Sequence, residues 1–239
     1  MNETGITIPR RFTGIHGFVQ GGYVCGVVAS HLSGAADISM KLPTPVEKAL
    51  LLRCEGDLVQ LFDEDRLLVE AKPGELSMQS PPVPDWETCA KASSGYPGHR
   101  FHFAPECFVC GTHVPDGRGL DIFPGPVPGS NLYAAAWEPD ANTPAAKGHV
   151  TGEVVWGVMD CISGWPVVER LPAPENGMLM GRFVGRVFRA PSVGQRCRLI
   201  GWVHASEGRK HSTSMCMVAE NSEVMAQAQA LWIALKPRA

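Results

Sequence analysis

No run of about 18 apolar residues occurs in the 239-residue chain, so no membrane-spanning helix is expected. The polar start, MNETGITIPRR, lacks the apolar core of a secretory leader. There is no basic excess either. The net charge is -3, which argues against nucleic acid or an anionic membrane as the main partner. Cytoplasm is then the expected compartment, and the eight cysteines read as reduced thiols rather than a disulfide framework. Several motifs are also missing. No G-x-G-x-x-G follows a strand candidate, so Gly21-Gly22 signals no nucleotide site. No G-x-S-x-G elbow accompanies Cys161 or Ser163. Cys107-x-x-Cys110 has His99, His102 and His113 nearby, but structural zinc takes four ligands, usually as two pairs, and no second C-x-x-C exists. Packed free thiols, and no metal, are expected.

The sequence has apolar segments of two periods. Its length suits one large domain or two small ones, and 26 Gly with 20 Pro imply many turns. From Thr151 to Trp165, residues Val154, Val155, Val158, Ile162 and Trp165 recur at helical spacing. Thr151 stands where an N-cap would, and Pro166 is expected to end the helix. A single carboxylate, Asp160, interrupts this apolar run. An ionised Asp there is costly unless paired, so a structural role bonded to a neighbour is the plain reading. Upstream, Tyr23, Val24, Val27, Val28 and Leu32 have the same spacing after a Gly-rich loop, with Gly34 as a stop.

Strand candidates follow each helix. In the first half they are Asp37–Leu42, Lys48–Cys54, Asp57–Phe62 and Arg66–Lys72, preceded by a short extended Ile6–Ile8. In the second they are Leu179–Arg189, Gln195–His204, His211–Ala219 and Glu223–Leu235, with Leu120–Phe123 and Asn131–Trp137 before the helix. Residues 73–106 lose periodicity and are rich in Pro, Ser and Gly; a surface linker is expected between units at 1–72 and 107–239. Setting Gly26 against Gly157 aligns QGGYVCGVVA with TGEVVWGVMD without a gap, and FDEDRLLVEA matches VAENSEVMAQ as turn plus strand. The expected class is α+β: two units, each an antiparallel sheet around one helix, paired as a pseudo-dimer within one chain.

That arrangement resembles the hotdog fold, and CFVCG followed by GRGLDIF resembles the start of the PaaI-like acyl-CoA thioesterases. The likeness covers residues 107–237 well and 12–72 more weakly. It implies acyl-CoA as substrate, no cofactor beyond the coenzyme A of the substrate, and a homodimer of double-hotdog chains. In such relatives the helix typically begins His-Gly-Gly with an acid nine positions after the His. Here the positions are Gln20-Gly21-Gly22 with Ala29, and Thr151-Gly152-Glu153 with Asp160. These departures complement each other. One composite site is implied: Gly21 N–H as oxyanion donor, Asp160 as base or nucleophile, and Gln20 beside them. Gln20 either orients carbonyl or water or bonds its own loop. Gly22 is placed along the substrate, Ser163 either packs or lines the site one turn beyond Asp160, and Arg182, Arg186 and Arg189 either meet the coenzyme A phosphates or are simply solvated. The mirror site, Ala29 opposite Gly152, has no carboxylate and is expected to be dead. A hydratase using His16 or His149, and a non-catalytic acyl-CoA-binding module, are the rival readings.

Overall fold

The computed structural model describes residues 2–171 and 177–236. The first half contributes β1 (Asn2–Thr7), α1 (Gly21–Ala29), β2 (Ala36–Met40), β3 (Ala49–Glu55), β4 (Leu58–Asp63) and β5 (Arg66–Pro73). Next come α2 (Trp86–Ser94), β6 (Gly125–Pro126), β7 (Leu132–Trp137) and a small pair, β8 (Ala145–Ala146) and β9 (His149–Val150). The second half continues with α3 (Gly152–Val168), β10 (Met178–Val187), β11 (Cys197–Glu207), β12 (Lys210–Ala219) and β13 (Val224–Ala234). All but β8 and β9 join one 11-stranded antiparallel sheet in the order β1-β3-β4-β5-β2-β10-β13-β12-β11-β7-β6. The halves meet where β2 pairs with β10, Arg182 opposite Ser39 and Gly185 opposite Ala36.

The duplication read in the sequence is also present in the backbone bonding. Val19 N–H donates to Thr44 O in the first half, and Val150 N–H to Pro191 O in the second. Val46 N–H donates to Gly17 O, and Val193 N–H to Gly148 O. In both halves, therefore, the loop before the strand pair pins the loop before the helix. Alternation in β4 sends Val59 and Leu61 inward beside Val24 and Val28 of α1.

The helices α1 and α3 run antiparallel and touch through glycines. A Cβ on Gly22 would stand 2.3 Å from Trp156 O and 2.5 Å from Asp160 Cβ; one on Gly26 would stand 2.5 Å from Glu153 Cα. Glycine here trades helix propensity for close backbone approach.

Three expectations need correction. Pro166 does not end α3, which continues to Val168. Its missing N–H leaves Ile162 O without a helical donor, and Gly201 of β11 packs against that carbonyl, where a Cβ would lie only 2.0 Å away. Residues 73–106 are not a bare linker. Asp85 caps α2 by accepting from Thr88 N–H, and Cys89 and Ala92 pack against Leu132, Ile200 and Trp202 on the outer face of the sheet. Arg198 fixes the approach to α2, donating to Pro84 O at 2.9 Å. Leu120–Phe123 is not a strand; Leu120 N–H and Ile122 N–H instead donate to Phe108 O and Val109 O. The Pro-rich connection after Pro166 lies partly outside the described residues. Among them, no helix is long and apolar enough to cross a membrane.

Candidate active site

Gly157, Asp160, Cys161 and Gly164 fall at helical spacing on the stripe of α3 that faces the start of α1 and a cavity beside it. Asp160 is buried, and its Oδ2 accepts Gly22 N–H at 2.6 Å and Gln20 Nε2–H at 2.7 Å. Gln20 is the N-cap of α1: its Oε1 accepts Tyr23 N–H at 2.7 Å, and its Nε2 also donates to Gly157 O at 3.1 Å. The first turn of α1 is thus divided. Tyr23 N–H goes to the cap and Gly22 N–H to the carboxylate, while Gly21 N–H has no protein partner among the described residues. Gly21 borders the cavity.

Burial pushes the Asp160 pKa up to about 7; the Gly22 N–H opposes this and the nearby Cys107 adds to it. Cys107 itself is held below the usual thiol range by hydrogen bonds from Cys110 and Cys161. Burial pushes Cys110 and Cys161 up.

The cavity, about 420 Å³, lies between the halves. Its walls are mainly apolar: Met40 and Leu42 from the first half, Val168, Met178 and Trp232 from the second, and Phe103 from the intervening segment. Lys41 is the Lys or Arg that borders it among the described residues. Thr44 also adjoins the cavity, but its side chain is fully buried, with Oγ1 closed off from the cavity space and without a partner among the described residues.

Of the residues singled out in the sequence, Gln20, Gly21, Gly22 and Asp160 come together. The others do not join them. Ser163 donates to Asp160 O at 2.8 Å and accepts from Trp232 Nε1, buried behind the helix. Arg182 forms a two-point pair with Asp37 at 2.7 and 2.8 Å. Arg186 lies over Phe188, Arg189 pairs with Glu223, and none of the three borders the cavity. His16 pairs with Glu106 at the exposed surface and His149 with Ser192, so neither serves a hydratase at this cavity. At the other end of the helix pair, Gly152 is exposed with open space around it, and Thr151 makes no side-chain cap. Two features escaped the sequence. One is Thr44; the other is Cys161, whose sulfur joins Cys107 and Cys110. Neither carries a local signal, because each meets its neighbours through the fold.

No family model matches the sequence, and no curated protein does. Solved structures do. A candidate thioesterase II from Thermobifida fusca YX superposes with a TM-score of 0.66 at 11% identity, covering 98% of this chain and 94% of that one. The acyl-CoA thioesterase II TesB2 of Mycobacterium marinum gives 0.62 at 12% identity, covering 99% and 94%. A protein of unknown function with a hot dog fold from Alicyclobacillus acidocaldarius gives 0.58 at 9%, covering 99% and 94%. At these identities the likeness is one of fold, and it takes in both halves of the chain. The chain has the hotdog fold twice over, as a double hotdog.

Proposed function

We propose that this protein hydrolyses acyl-CoA thioesters at one composite site, with the acid on α3 and the oxyanion donor on α1. The observation that carries the reading is the buried Asp160 carboxylate set against the N-terminus of α1 beside an unpartnered Gly21 N–H, in an apolar cavity. A thioester carbonyl that becomes a tetrahedral oxyanion needs a donor where the charge develops. A free N–H at the positive end of a helix supplies one. Asp160 then activates water as a base or attacks the carbonyl to give an anhydride. Gln20 and Gly22 position it by donating to the same oxygen, leaving the other for chemistry. The apolar walls suit an acyl chain. Lys41 replaces the arginines as the cation offered to coenzyme A. The thioesterase names of the T. fusca and M. marinum proteins support the reading by fold-level analogy.

Asp160→Asn tests it across a panel of acyl-CoA chain lengths, with released thiol as the readout. Hydrolysis is expected to vanish while the circular dichroism spectrum is retained. Undiminished hydrolysis in the variant would remove Asp160 from the mechanism. Tight acyl-CoA binding by the wild type with no thiol release would favour a binding module.

A further inference from the structure

Cys107, Cys110 and Cys161 have no part in the hydrolysis proposed above, yet their sulfurs all lie within 4.8 Å of one another. Cys161 Sγ is 3.7 Å from Cys107 Sγ and 3.2 Å from Cys110 Sγ. Around tetrahedral zinc, with Zn–S about 2.3 Å, neighbouring sulfurs sit roughly 3.8 Å apart. The thiols therefore already have nearly the spacing of a ligand set.

The fold holds them there from several directions. Phe108 N–H donates to Thr13 O, and the loop at 120–122 is bonded to the carbonyls of Phe108 and Val109. Gly111 closes the turn, its N–H donating to Cys107 O at 2.7 Å. A Cβ at Gly111 would stand 2.5 Å from that oxygen and 2.4 Å from Pro105 O. Cys161 comes from the buried middle of α3. One side-chain N–H group is directed at sulfur, Trp165 Nε1 at 3.4 Å from Cys110 Sγ, while Gln20 Nε2, whose hydrogens go to Asp160 and Gly157, lies 3.6 Å from Cys161 Sγ. An outer donor of the Trp165 kind orients a thiolate ligand and disperses its charge.

We propose that Cys107, Cys110 and Cys161 bind one borderline-soft divalent cation of the zinc class, with a fourth coordination position open to the cavity. All three cysteines border that cavity. Three protein ligands with one open position is the pattern of zinc that exchanges a ligand, not of a closed structural site. Thiolates select zinc over magnesium or calcium, and each thiol releases its proton to solvent as it binds. His102 is the nearby nitrogen, with Nε2 3.6 Å from Cys110 Sγ. Its Nδ1 accepts Ala104 N–H at 2.9 Å, so the ring proton sits on Nε2 and is donated to Cys110 O at 3.1 Å. In that tautomer Nε2 has no lone pair to offer, and the ring stands outside the ligand set.

The test is anaerobic titration of the full-length reduced protein with Co²⁺, followed by absorption. An intense sulfur-to-cobalt band is expected to saturate at one equivalent per chain and to disappear when Zn²⁺ displaces the cobalt. Cys161→Ser is expected to weaken Co²⁺ binding by on the order of tenfold or more, whereas Cys54→Ser, outside the cluster, leaves it unchanged. No thiolate band in the wild type, or an unweakened one in Cys161→Ser, would overturn the proposal. So would a Cys110–Cys161 disulfide without metal in protein kept under reductant. The wild-type titration decides even if the variant does not fold. Acyl-CoA turnover decides the hydrolase reading separately.

Discussion

Gly21 and Gly22 are neighbours in the chain with separate tasks. Gly22 N–H goes to Asp160, and Gly21 N–H has no protein partner among the described residues. Gly21 is the first residue of α1, the one helical position where proline fits, and Gln20 before it is already extended at ψ 132°. Gly21→Pro removes the proposed donor, and its Cβ, like that of Gly21→Ala, would stand 3.2 Å from Asp160 Oδ2. It is expected to lower kcat by about 10²- to 10³-fold with the helical signal retained, whereas Gly21→Ala, which keeps the N–H, loses less. Steady-state kinetics on both variants separate the donor from mere crowding. Thr44 gives a check on stability. Its hydroxyl is buried with no partner among the described residues, so Thr44→Val is expected to match or exceed wild-type stability in thermal melts. Asp160, Gln20 and Gly21 were legible because the resemblance to hotdog thioesterases marks a helix start and an acid nine positions on, and the ungapped alignment of the two helix starts located those positions in both halves. Arg182 was not. Its strand spacing shows half-exposure, but the Asp37 that engages it lies 145 residues away.

The seam between α1 and α3 depends on what is missing from Gly22, Gly26 and Gly157. Gly22→Ala would put a methyl into Trp156 O, so the helices must part and the bond from residue 22 to Asp160 must lengthen. A loss of about 1–3 kcal/mol or more is expected in urea unfolding, together with loss of hydrolysis. The helices α1 and α3 and nine strands (β2 to β5, β7 and β10 to β13) were legible from periodicity, with most ends shifted by one or two residues and those of α1 and β11 by three. Two elements were not. The end of α3 was masked by Pro166, because the residue that leaves room for the carbonyl Pro166 frees, Gly201, lies on a strand distant in sequence. The helix α2 has only Cys89 and Ala92 as buried residues, too little for a periodic signal. The clue to α2 lay elsewhere, in the continuous apolar runs of β11 and β12. A strand with both faces covered reads that way, and residues 84–92 supply the second cover.

Across the whole molecule, the junction of the halves carries one ion pair whose pH dependence can be read. The Arg182 guanidinium holds the Asp37 carboxyl below the usual carboxylate range, against the opposing effect of partial burial. A carboxyl lowered by folding adds stability above its unfolded pKa and loses it as pH falls through its folded value. Arg182 is more than half exposed, so the gain is small. Asp37→Asn is expected to cost no more than about 1 kcal/mol at neutral pH, and this deficit should fade as the solution is made acid. Urea unfolding of both forms from neutral to acid pH measures it.

The two halves also differ in what they have kept: Asp160 on one central helix, Ala29 at the matching place on the other. In a homodimer every substitution is made twice, so an acid lost from one helix is lost from both. Joined in one chain, the halves change independently. One end of the helix pair has a carboxylate and a cavity while the other is open to solvent at Gly152. The covalent link thus acts as a licence for asymmetry: it lets the two ends of the helix pair carry different residues.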